Sequence, residues 1–310
     1  METIDCKSKA LDAGNKSTSV NELKGCDGMF FSREEKIAHI NKSPESIANH
    51  DKDAWLSIFS QDAIVEDPVG SKPHHNGEQL NDNKSPDESA LSRFYDTFIA
   101  PNNIEFDIKN DIVCQNHVVR DLTININMGR ISVSVPTHLL YELTEESGKL
   151  KISRLAAHWE LVPMIKVLVS EGVNAFPVMG SLSKRMMKYQ GLSGGMGFIA
   201  GVNRFGGKRK EQVQRFFAAF NQQNNQQIPT LFSSNARVKA PYGTSEITPI
   251  ELLTNRPGEI SFSKLLAAGN TVTASISYLP SEGKTPKQGV ALFEFEPSSK
   301  AISHLTIYDE

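Results

Sequence analysis

Cysteine is scarce, and its placement excludes two kinds of architecture. Cys6, Cys26 and Cys114 are odd in number, widely separated and form no C-x-x-C pair, which argues against a disulfide framework and against a structural zinc site. Long apolar runs are also missing: no stretch approaches the roughly 20 residues that cross a bilayer. The opening METIDCKSKALDAGNKSTSV carries acidic residues early and has no apolar core. It does not read as a secretory signal, so the expected location is cytoplasmic. There is no excess of one charge, the formal net charge being -3, and nothing selects nucleic acid as a partner. Rossmann, P-loop, nucleophile-elbow and haem motifs are absent, so no cofactor is expected. His74 and His75 sit together in SKPHHNG, but adjacent histidines on a loop rarely chelate one ion by themselves and no H-x-H, H-E-x-x-H or facial-triad pattern appears, so no metal site is expected either.

What is present is a repeat. Phe59, Ser60, Ala63, Val65, Pro68 and Gly70 in AWLSIFSQDAIVEDPVG lie over Phe232, Ser233, Ala236, Val238, Pro241 and Gly243 in QIPTLFSSNARVKAPYG, at an offset of 173. The order then recurs: IEFDI (104–108) with ISFSK (260–264), LLYEL (139–143) with ALFEF (291–295), and KISRLAAHWE (151–160) with AISHLTIYDE (301–310). This predicts two copies of one domain, 32–165 and 208–310. A polar tail occupies 1–31, and a linker with a Gly-rich GLSGGMGFIAGVNRFGG stretch fills 166–207. SREEKIAHI opens the first copy with the capping-box spacing of Ser32 and Glu35.

Each copy runs from helices into strands that alternate with period two, as in HVVRDLTININM and RISVSVPTHLLYEL. That order predicts an α+β fold: two tandem cone-shaped domains, each a curved antiparallel sheet closed by N-terminal helices. Trp55, Phe59, Phe94 and Phe98 recur at helical spacing and read as core or pocket lining. Asp67 stands between a strand and the Pro-Val-Gly turn, as either a turn carboxylate or a pocket base; Glu66 should face the other way, into solvent. His138 lies in an alternating strand, a packing residue or a pocket donor. His158 and Trp159 must face opposite sides of theirs, with Trp159 in the core or on the pocket wall.

LSIFSQDAIVEDPVGS (56–71), the closing strand KISRL and the order of elements together resemble the ketosteroid isomerases of the nuclear transport factor 2-like (SnoaL-like) superfamily. The fold-level resemblance spans both copies; the EDPVGS motif occurs only in the first. It implies a deep apolar pocket for a hydrophobic small molecule and a general base at Asp67 that moves a proton between two carbons of an enone. In that family a tyrosine and a protonated aspartic acid hold the enolate. Here the position two residues after Pro136 is His138, and no tyrosine lies between Ile37 and Trp55. The resemblance therefore implies catalytic Asp67 and His138, with Trp55, Phe59, Phe94 and Trp159 binding substrate. The second copy has Ala240 and Val290 at the positions of Asp67 and His138, which points to one site, in the first domain. Pairing through the sheets, within the chain or as a homodimer, is implied as well. The competing readings are a non-catalytic module for a hydrophobic ligand or a protein partner, and an epoxide hydrolase or polyketide cyclase.

Overall fold

The computed structural model describes residues 31–77, 89–190, 206–281, 285–297 and 299–310. The polar tail up to residue 30, with Cys6 and Cys26, and the Gly-rich stretch 191–205 lie outside the described residues. The first half begins with α1 (Arg33–Ala48), whose N-terminus is closed by the reciprocal Ser32–Glu35 capping box. His39, Ile40, Ser43, Ser46 and Ile47 face inward. A short α2 (Lys52–Ser57) is capped by Asp51 and leads into β1 (Phe59–Glu66) and a two-residue β2 (His74–His75). Then come α3 (Ala90–Phe94), extended by a π-turn at Tyr95–Ile99, and four strands: β3 (Asn103–Cys114), β4 (His117–Met128), β5 (Ile131–Glu146) and β6 (Lys149–His158).

These strands form one sheet in the order β2-β1-β6-β5-β4-β3, antiparallel except where β1 runs parallel to β6. Next come α4 (Leu161–Ser170), a 3₁₀ turn at Gly172–Asn174 and α5 (Ala175–Arg185). The second half repeats the plan with α6 (Gly206–Asn221), α7 (Gln227–Leu231), β7 (Phe232–Lys239), α8 (Pro249–Asn255), β8 (Gly258–Ala268), β9 (Thr271–Pro280), β10 (Lys287–Phe295) and β11 (Ile302–Asp309). Its sheet order is β7-β11-β10-β9-β8, again with one parallel pair, β7 and β11.

The two sheets share a register. Phe59 pairs with Ile152 and Val65 with Leu155; Phe232 pairs with Ile302 and Val238 with Leu305. The irregularity after the first of these pairings recurs in both. Because a one-residue slip would turn every side chain to the other face, equal register means that equivalent positions face equivalent environments.

Inside the first sheet the interior side chains of β5 are Val133, Val135, Leu139, Tyr141 and Leu143, which join Trp55, Phe59, Phe94 and Leu155 in one core. On the other face Ile112, Val119, Leu140 and Ala156 meet Ala268, Val290, Leu292 and Tyr308 of the second half. The turn at Gly70 is part of this contact: its φ is +91°, and a Cβ there would sit 2.4 Å from Gly269 Cα. Glycine is needed at Gly70 both for the backbone conformation and for the close approach.

Candidate active site

Ala63 and Val65 are fully buried on the inner face of β1, and Asp67 continues that alternation one step past the strand end. The Pro68 turn is pinned on either side, by Val69 N–H donating to Ala157 O at 2.9 Å and by Ser71 N–H to Pro68 O at 3.0 Å. Asp67 thereby enters a cavity of about 150 Å³ walled mainly by apolar side chains, among them Trp55, Phe94, Phe98, Leu139 and Leu155. Asp67 is half-buried and is one of the few polar residues on the cavity lining. Desolvation accordingly pushes its carboxyl up to about 6, against the opposing effect of a hydrogen bond from Trp159. That bond runs from the indole Nε1–H to Asp67 Oδ1 at 2.5 Å.

The other polar groups on the wall are mostly engaged. Trp55 Nε1 donates to Ser43 Oγ at 3.1 Å, Asn102 Nδ2 to Phe98 O at 2.8 Å, and Arg185 Nε to Thr97 O at 3.1 Å. Tyr141 differs: it lines the cavity, is fully buried, and its hydroxyl has no hydrogen-bond partner among the described residues. Burial pushes its phenol up to about 12, with Asp67 and Asp111 adding to the effect and Arg120 opposing it. Sequence reasoning missed Tyr141. Strand parity held the signal, since Tyr141 is two residues from Leu139 and shares its face.

Three expectations are corrected. His138 does not face the cavity. Its ring lies on the outer face of β5, with Nδ1 2.7 Å from Thr273 Oγ1 and Nε2 2.9 Å from Ser275 Oγ, both in β9. Counting two residues from Pro136 lands on the wrong parity, and Leu139 is the neighbour that turns inward. Phe59 is buried in the core but stands behind the wall, its ring edge-on to Trp55 with centroids 4.8 Å apart. Glu66 is not merely solvated; it is held by Arg154 Nη2 at 2.5 Å. Trp55, Phe94 and Trp159 do line the cavity, and His158 pairs with His138 on the outer face. His74 lies against Phe94, with ring centroids 4.8 Å apart, and burial lowers it to about 4. Part of the segment assigned to the linker is helical, and Leu168, Leu182 and Arg185 close one side of the cavity.

The second half supplies an internal comparison. By register Tyr141, paired with Val118 and Leu155, corresponds to Phe293, paired with Val272 and Leu305. Asp67 corresponds to Ala240, which is buried in the second core. Trp159 corresponds to Asp309, which is ion-paired with Arg256. Phe216 and Phe217 lie 5.2 and 5.7 Å from Phe293 between ring centroids. The interior position that carries a hydroxyl in one copy is packed with aromatic rings in the other.

No protein-family model and no curated protein matches this chain. Among solved structures it is similar to a Δ5-3-ketosteroid isomerase from Mycobacterium sp., at 21% identity and a TM-score of 0.33, over 41% of this chain and 95% of that one. A Mycobacterium tuberculosis protein solved with estradiol-17beta-hemisuccinate is 20% identical, with a TM-score of 0.33, over 42% of this chain and 96% of that one. An LEH-like epoxide hydrolase of M. tuberculosis is 16% identical, with a TM-score of 0.35, over 47% and 96%.

Proposed function

We propose that the first half of the chain is a cofactor-independent enzyme that moves a proton between carbons of a hydrophobic carbonyl compound, as a steroid Δ-isomerase does, with Asp67 as the shuttle. The observation that carries this reading is a carboxyl raised to about 6 inside an apolar cavity, at a position the second copy fills with Ala240. At neutral pH such a group is ionised yet more basic than an ordinary aspartate, which suits a general base. The EDPVGS resemblance supports the same assignment.

Trp159 N–H occupies Oδ1, leaving Oδ2 to take the proton from the carbon next to the carbonyl. That C–H bond breaks, its electron pair moves into the enolate, and negative charge develops on the carbonyl oxygen. Asp67 then returns the proton to another carbon of the conjugated system, so the product is an isomer. Tyr141 is the donor to the developing oxyanion: burial holds the phenol neutral and its hydroxyl is unpaired among the described residues. His138 and the second half have a different role, as the partner surface of the first sheet, in place of a second subunit.

The test is conversion of a β,γ-unsaturated ketosteroid to its conjugated isomer, followed by ultraviolet absorbance, with wild type and Asp67→Asn. Turnover that disappears in the variant supports the base. Equal turnover by both overturns it. Tight steroid binding by both with no turnover by either would make the cavity a binding site without chemistry, the reading favoured by a lining that is mainly apolar, Leu139 included.

A further inference from the structure

The two helices that close one side of the cavity also carry much of the apolar surface that the described residues leave exposed. In α4 the inward stripe is Leu161, Met164 and Leu168, spaced i, i+3, i+7; Leu161 and Leu168 are buried, and Met164 and Leu168 line the cavity. A second stripe, Val162, Ile165 and Val169, has the same spacing but points outward, Val169 being 61% exposed. The pattern continues through the 3₁₀ turn, where Val173 is 80% exposed, into α5, where Phe176 is 74% exposed and Met179 lies one turn on. A helix apolar on all sides is ordinarily enclosed by protein or lipid, and contiguous exposed apolar surface marks an interaction site.

Charge selects the partner. Residues 161–190 contain Lys166, Lys184, Arg185 and Lys188 against one acidic residue, Glu171, in a chain whose net charge is -3. Lys166, Lys184 and Lys188 are exposed. A second copy meeting this face through its own would set like charges together, whereas an anionic lipid surface complements both the lysines and the apolar stripe. No helix among the described residues is long and apolar enough to cross a membrane, so the contact would lie in the interface plane.

We infer that the α4–α5 segment is a docking element for an anionic membrane surface, with its outer apolar stripe on the lipid and its inner side chains Met164, Leu168 and Leu182 on the cavity, so that the cavity lies next to the lipid from which an apolar ligand would partition. The inference concerns the outer face of these helices and does not require Asp67 to be a base.

The experiment is co-sedimentation of the full chain with vesicles of phosphatidylcholine alone or mixed with phosphatidylserine, at low and high salt. Wild type should pellet with the mixed vesicles, less with the neutral ones, and less at high salt. Val173→Asp with Phe176→Asp should abolish pelleting. Lys166→Glu with Lys184→Glu should weaken binding to mixed vesicles by about tenfold or more while leaving the apolar stripe intact, and this pair decides the matter if the first does not fold. Wild type that stays in the supernatant with both vesicle types overturns the proposal, as does binding unchanged in the lysine pair. A vesicle-free dimer dispersed by the aspartate pair also overturns it, because the face would then be a contact between copies.

Discussion

The indole N–H of Trp159 donates to Oδ1 of Asp67 across 2.5 Å, joining the residue after β6 to the residue after β1. The bond stabilises the ionised carboxylate and partly offsets the desolvation that raises its pKa. Trp159→Phe keeps the ring and removes the donor, so the Asp67 pKa should climb further above 6, by about one unit. The acid limb of the kcat/KM profile should move to higher pH by the same amount. An unmoved limb would show that the bond does not tune the base.

Asp67 also carries a stability cost whose sign follows from linkage. Its folded pKa of about 6 lies above the ordinary 3.8, so the folded state binds the proton more tightly than the unfolded chain. That contribution to stability is full below about pH 4 and is lost as pH rises through about 6. Asp67→Asn should therefore stabilise the fold above about pH 7 by up to about 3 kcal/mol, and change little near pH 4. Urea denaturation at both pH values measures this; equal stability of variant and wild type at the higher pH would contradict it.

Tyr141→Phe removes a hydroxyl that has no partner among the described residues and recreates the residue found at the equivalent position, Phe293. Stability should hold or rise slightly, because no hydrogen bond is lost. If the hydroxyl stabilises the enolate, kcat should fall roughly 10²- to 10³-fold with KM little changed. A change confined to KM would make Tyr141 a binding contact.

His138 should matter for stability and not for turnover. Burial lowers it to about 3 despite the attraction of Asp121, so its ring is neutral between Thr273 and Ser275. Burial alone would raise Asp121, but hydrogen bonds from Lys264 and Ser275 hold it below the usual carboxylate range. A histidine depressed in the folded state contributes stability that is present above about pH 6.5 and lost as pH falls toward about 3. His138→Val, matching Val290, should flatten that acid decline while leaving Thr273 without its ring partner, at a cost of about 1–3 kcal/mol at neutral pH. Melting temperature against pH reads both effects, and a lost turnover with unchanged stability would return His138 to the site.

Much of the fold was legible because pattern and register are local properties of the chain. The offsets of 173 and 150 between repeats reappear as matched pairings, Phe59 with Ile152 and Phe232 with Ile302, and the Ser32–Glu35 box caps α1. Asp67 was legible as the next inward step after Ala63 and Val65. His138 was not, because a count from Pro136 does not determine parity, and parity alone decides which face of a strand a side chain occupies.

The sequence by itself determined the repeat, the α+β order and the retention of an acid in one copy only, since each follows from spacing and residue type. Tertiary structure decided the rest. Desolvation of Asp67 requires walls contributed by α1, α2, β4, β5, α4 and α5 together, and the enclosure of His138 requires Thr273 and Ser275 of the other sheet. Burial is a property of what surrounds a group, and these surroundings are brought in from distant parts of the chain.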